Sequence, residues 1–131
     1  MNQTSAMKSI KIYLRAVVVK EKNELMMFDT DRNGAINDLI TIAHPGQLII
    51  WKLDTCSGIS KLLNIKPKDN AGNIFRKEPK RGWFNSICIK IPKDAKPGDE
   101  MYGIECQLHD KTKIYIDPLI RIPPPSPPPH G

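Results

Sequence analysis

The chain has 131 residues, enough for one domain whose core needs no metal or disulfide to close it. Its composition, 40% apolar, 26% charged and 6% aromatic, is that of an ordinary globular protein and excludes collagen-like, coiled-coil and wholly disordered chains. No run of about eighteen apolar residues offers a transmembrane helix, and the net charge of +6 is concentrated between Lys61 and Lys96, where ten basic residues face three acidic ones.

Ile10, Ile12, Leu14, Ala16 and Val18 alternate with Lys11, Tyr13, Arg15 and Val17, the period-two pattern of a half-buried strand. A turn at Lys22-Asn23 leads to a second strand through Leu25–Phe28. Leu39–Ile42 is a short strand, His44-Pro45-Gly46 a turn, and Gln47–Leu53 an apolar strand that can be covered on both faces. Ile59, Leu62, Leu63 and Ile65 fall at roughly helical spacing, which leaves a short helix or a strand open there. Lys66–Gly82 is rich in Lys, Pro, Asn and Gly and reads as a long loop.

Ile87, Ile89 and Ile91 restore the alternation, and a turn at Lys96–Asp99 follows. Tyr102, Ile104, Cys106 and Leu108 then share one strand face, His109-Asp110-Lys111 makes a hairpin turn, and Lys113–Ile122 is a last strand interrupted at Asp117-Pro118. Seven or eight short strands with closely spaced turns predict an all-β sandwich or barrel. The domain spans residues 1–122. Residues 123–131, PPPSPPPHG, hold six of the twelve prolines and form a Pro-rich tail expected to run as extended polyproline II.

Three cysteines, Cys56, Cys88 and Cys106, are an odd number without a CxxC pair, which argues against a disulfide framework and for a reducing compartment. Lys11 and Arg15 break up the apolar residues near the N-terminus, so there is no signal-peptide core and a cytoplasmic location is expected.

The stretch His44–Leu53, HPGQLIIWKL, resembles the PG-x-x-[IV]-x-W strand of small blue-copper proteins, and KPGDEMYGIECQLH resembles their late PG…Y-x-x-x-C-x-x-H segment through Pro97, Gly98, Tyr102, Cys106 and His109. This resemblance implies a cupredoxin-like fold over about the last ninety residues, and with it the fold expected is a Greek-key β-sandwich. It also implies a copper site made from a thiolate, two imidazoles and an axial thioether, soft and borderline ligands that suit both copper oxidation states. Cys106 and His109 match that pattern. The family's first His has no counterpart after Trp51, where the chain reads Thr55-Cys56-Ser57-Gly58, and no Met follows His109. The resemblance therefore implies a cupredoxin-like domain with an incomplete copper site.

Four further groupings carry chemistry, each with a plainer reading beside it. Cys106 and His109, with Cys56 as a third ligand, make an altered soft-metal site for copper or zinc, or else Cys106 is a small buried hydrophobe and His109 a turn residue. Asp29, Asp31, Asn33 and Gly34 begin like a Ca²⁺ loop but place Ile40 where a bidentate Glu belongs, and read equally as a polar hairpin turn. Arg76, Lys77, Lys80 and Arg81 beside Trp83 and Phe84 combine cations with stackable rings, or form a loop whose aromatics lock onto the sandwich. Arg121, Pro124 and Pro127 fit a basic-x-x-P-x-x-P docking segment, or a spacer.

No GxSxG, P-loop, HExxH or dinucleotide fingerprint is present. The sequence thus predicts no enzyme and no cofactor. It predicts a non-catalytic interaction or self-assembly module on a cupredoxin-like scaffold. Its partner is a protein or another copy of itself, met through Arg76, Lys77, Lys80, Arg81, Trp83, Arg121, Pro124 and Pro127, and nucleic acid is not expected. The alternative is a small copper-binding or electron-transfer protein using Cys106 and His109, with Cys56 as a possible third ligand.

Overall fold

The structure, a computed structural model, describes residues 8–30, 34–36, 39–68 and 72–125. All regular structure among them is β. The strands are β1 (Ile10–Val19), β2 (Lys22–Asp29), β3 (Gly34–Ile36), β4 (Ile40–Ile42), β5 (Leu48–Leu53), β6 (Ile59–Pro67), β7 (Lys80–Arg81), β8 (Ile87–Lys90), β9 (Gly98–Leu108), β10 (Lys113–Ile116) and β11 (Leu119–Ile122). Among the described residues no helix is long and apolar enough to cross a membrane. Asp31, Asn33 and Pro127 lie outside the described residues.

Two mixed sheets form. The first has the order β3-β2-β1-β5-β8-β7, with β1 and β5 parallel and the other neighbours antiparallel. The second is built on β9, which pairs antiparallel with β6, β10 and β11, and β11 carries β4 parallel to it. One apolar cluster draws on both sheets: Ile12, Leu14, Leu25, Met27, Ile49 and Trp51 from the first, and Leu62, Tyr102, Ile104, Cys106 and Ile120 from the second. Each large side chain buried there is worth about 1.5–3 kcal/mol relative to exposure. Trp51 Nε1–H donates to Tyr102 Oη at 3.1 Å with the ring centroids 5.3 Å apart, so the polar tips of both rings are satisfied where the sheets meet.

Most of the alternating segments form strands as their patterns predict, and the differences are local. The β1–β2 turn lies at Lys20-Glu21, where both residues have positive φ, and not at Lys22-Asn23. That register sets Ala16 opposite Leu25 and Leu14 opposite Met27, and turns both β2 side chains into the core. At His44-Pro45-Gly46 the turn forms as read. Gly46 supplies the positive φ that the position after a turn proline demands, and Gln47 N–H donates to His44 O at 3.1 Å.

The helical spacing of Ile59, Leu62 and Ile65 belongs to a strand with two bulges. On β6 these residues are three apart, yet they face Leu108, Cys106 and Ile104 of β9, which are two apart. One extra residue at each register shift keeps all three on the buried face. At the first shift Ser60 Oγ donates to the carbonyls of Gln107 and Leu108 at 3.0 and 3.1 Å.

The final strand is two pieces in one register. Ile116 faces Ile104, Leu119 faces Met101, and Tyr102 N–H donates to Pro118 O across the break at Asp117-Pro118.

Lys66–Gly82 is not loop throughout. It holds the end of β6, all of β7, and two core residues, Ile74 and Phe75. These last two are held by Glu100, a β9 carboxylate only 9% exposed. Its Oε1 accepts the N–H groups of Asn73 and Ile74, both at 3.1 Å, and its Oε2 accepts that of Phe75 at 3.0 Å. Three backbone donors satisfy one buried carboxylate and bring the Phe75 ring within 5.4 Å of Tyr102.

Candidate functional site

β9 presents Cys106 inward between Leu62 of β6 and Ile114 of β10, fully buried. Burial, helped by the charge of Glu105, pushes its thiol up to about 12. It sits in the core as a neutral apolar group. His109 lies three residues on, exposed in the β9–β10 turn, and Cys56 is exposed in a turn at positive φ. The three do not come together, and among the described residues no three His, Cys, Asp or Glu side chains gather as a metal site would require. The C-x-x-H spacing fails to gather ligands for a simple reason: on a strand that continues to Leu108 it sends Cys106 into the core and His109 past the strand's end. Of the Ca²⁺ reading, Asp29 is buried on β2 and Gly34 begins β3, which pairs back on β2, while Asp31 and Asn33 lie outside the described residues.

The basic stretch has a different shape. β7 and β8 make a tight hairpin in which Lys80 faces Cys88, Arg81 faces Ile87, and Gly82 N–H donates to Ser86 O at 2.9 Å. At its tip Phe84 and Asn85 both have positive φ, 55° and 57°. That conformation is uncommon for a bulky side chain. Ser86 Oγ donates to Trp83 O at 2.8 Å and closes the turn.

The hairpin is fastened to β6 at its second bulge. Arg81 Nη2 donates to the carbonyl of Leu63, and Asn85 Oδ1 accepts from Leu62 N–H at 3.4 Å. The bulge leaves backbone groups that the β9 ladder does not use, and the hairpin takes them. The fastening stops short of the tip: Trp83 is 84% exposed and Phe84 90%. The expectation that these rings lock onto the sandwich is corrected here, because turn chemistry, Gly82 before them and Asn85-Ser86 after, places them at a hairpin apex.

The expected partner contacts thus separate into engaged and open groups. Arg81 is committed to the Leu63 carbonyl. Arg76 Nη1 pairs with Asp94 at 2.5 Å and its Nε donates to Gly72 O at 3.1 Å. Arg121 meets Asp99 with two bonds of 2.8 and 3.1 Å, which hold that carboxyl below its ordinary range. Lys77, Lys80, Trp83 and Pro124 are exposed. Exposed ion pairs of this kind are weak in water and yield easily to a partner.

Beside the hairpin lies an open groove of about 590 Å³ that brings Arg76, Lys77 and Lys80 together with Lys90 and Lys93. The sequence reading missed the last two and Phe84 as contacts. The signal was present in the alternation of β8, which sends Lys90 to the face opposite the buried Ile89.

No protein-family model matches the chain, and no curated protein matches it.

Proposed function

We propose that the protein is a non-catalytic interaction module. In this reading it is a cupredoxin-like Greek-key β-sandwich that has lost its blue-copper site and contacts a protein partner, or further copies of itself, through the β7–β8 hairpin. The observation that carries the reading is the adjacent pair Trp83 and Phe84, exposed at a hairpin tip whose backbone is held in a costly conformation. Large aromatic side chains presented on a rigid support are what interface hot spots are made of. Lost contact with water over both rings would supply most of the affinity. The lysines alongside would set approach and orientation. The Pro-rich segment after Ile122 is a second contact in the same proposal, with Arg121, Pro124 and Pro127 as its readable positions.

The test is photocrosslinking in the cells that make the protein, with a benzophenone side chain at position 84 and, as control, at the exposed position 113 of β10. The expected result is a discrete adduct from position 84 alone. Its mass identifies either a second copy or a different protein. No adduct, or the same adducts from both positions, contradicts the proposal.

A further inference from the structure

β7 covers only part of β8. The ladder between them holds two pairs, Arg81 with Ile87 and Lys80 with Cys88, and the next residue back along the chain is Pro79. Proline has no N–H to extend the ladder. The preceding residues Arg76–Glu78 stand off from β8, and the space between them and Cys88–Lys90 is the groove.

The other side of β8 shows which backbone groups face that space. Ile91 N–H donates to Gln47 O on the β5 side, and β8 runs antiparallel to β5 through Ile89 opposite Ile49 and Lys90 opposite Leu48. In such a ladder successive residues turn their N–H and C=O groups to opposite neighbours. Ile89 therefore bonds toward β5, and the backbone of Lys90 points to the groove. No strand pairs with Lys90 on that side among the described residues.

The side chains around the groove complete its chemistry. Arg76, Lys77, Lys80, Lys90 and Lys93 surround it against the single carboxylate Glu78, and Arg76 is already paired with Asp94. The four lysines are exposed. Leu48 and Pro92, both half-buried, give the groove an aliphatic floor over the buried Ile74 and Ile91.

We propose that this groove receives an extended acidic segment of a partner protein. The segment adds a short strand beside Lys90, sets its carboxylates among Lys77, Lys80, Lys90 and Lys93, and lays its apolar side chains on the aliphatic floor. The proposal rests on the reading of the protein as an interaction module and names the chemistry of its partner. Charge complementarity selects an anionic occupant. The outward backbone of Lys90 selects one that can pair as a strand. The aliphatic floor favours a peptide over a nucleic acid, because no aromatic side chain lines the groove to offer a base a surface to stack on.

The probe is a fluorescein-labelled peptide of alternating Glu and Val, titrated into the full chain and followed by anisotropy. Binding is expected, weakening with added salt. It falls about tenfold or more in Lys80→Glu/Lys90→Glu. It is unchanged in Lys61→Glu/Lys113→Glu, which alters the net charge equally at exposed positions of the other sheet. The same peptide with N-methylated backbone amides binds at least about tenfold more weakly, since it cannot complete a ladder. This arm needs no protein variant.

No binding, equal binding by the two double variants, or equal binding by the N-methylated peptide overturns the proposal. So does oligothymidylate binding more tightly than the acidic peptide. If the peptide fails while a crosslink from position 84 persists, the groove is wrong and the interaction module stands. If both fail, so does the reading on which the groove rests.

Discussion

Phe75 and Phe84 lie in the same basic stretch, and one is 7% exposed while the other is 90% exposed. Hydrophobicity does not separate two phenylalanines. The backbone around them does. At Phe75 the chain can enter the core because Glu100 accepts three successive N–H groups that burial would otherwise strand. At Phe84 the backbone is consumed by the β7–β8 turn and by the hairpin's attachment to β6, and no such buried acceptor draws the segment inward. In this stretch a ring goes inside where its neighbouring amides find a partner inside. The exposed pair is thus a feature of the local structure, made by turn chemistry and retained at a cost in backbone conformation.

The most direct way to break this contrast is to truncate both rings. Phe75→Ala should cost about 3–5 kcal/mol in denaturant unfolding, the range for a buried Phe packed on another ring. Phe84→Ala should stay within about 0.5 kcal/mol of the parent, as exposed positions do. Equal losses would mean that the hairpin tip packs somewhere.

Next in size is Glu100→Gln, which keeps the shape but replaces one acceptor oxygen with a donor against backbone N–H groups. It should cost about 2 kcal/mol and raise proteolytic cleavage near Phe75, with no change at Phe84.

The cysteines repeat the contrast and give it a pH dependence. The unfolded Cys106 thiol titrates near the ordinary value of 9.0 and the folded one near about 12, because burial disfavours the thiolate. The folded state holds this proton longer than the unfolded state. The stabilisation is therefore complete below pH 9.0 and is lost as pH rises toward 12. The slope from this group is at most about 1.4 kcal/mol per pH unit. Tyr102, raised by the same burial, adds to it at the alkaline end. Cys106→Ala should flatten the slope in a pH series of urea melts, whereas Cys56→Ala, at an exposed turn, should change stability little at neutral pH.

The smallest effect sharpens the functional side of the comparison. Phe84→Asn places a residue tolerant of positive φ at the tip and should stabilise the protein by about 0.5–1 kcal/mol while abolishing the adduct formed from a benzophenone side chain at the exposed hairpin position 80. A loss of stability would show that the Phe84 ring has a structural role.

Much of the fold was legible because alternation is a local signal. Ile10 to Leu14 on β1 and Tyr102 to Leu108 on β9 could be assigned from period two alone, and their inward faces followed. β6 was ambiguous because its bulges convert the period to three, and bulges are set by what the partner strand needs. Ile74 and Phe75 were hidden in a Lys-, Pro- and Asn-rich stretch because their anchor, Glu100, is remote in sequence. Of the candidate site, the cluster of cations and rings was visible, but Trp83 was weighed as a core residue by type, and only the positive φ at Phe84 and Asn85 shows it at an apex. The C-x-x-H pair was visible too, and the end of β9 between its members keeps the ligands apart.

Acrylamide quenching of tryptophan fluorescence in the dilute protein tests the exposed tip most directly, because Trp51 is buried and Trp83 is the second of two tryptophans. The expected result is two populations, one quenched like free indole and one protected, with Trp83→Phe removing the quenched population alone. A single protected population would mean that Trp83 is folded onto the protein, and would contradict the hairpin tip as a surface prepared for a partner.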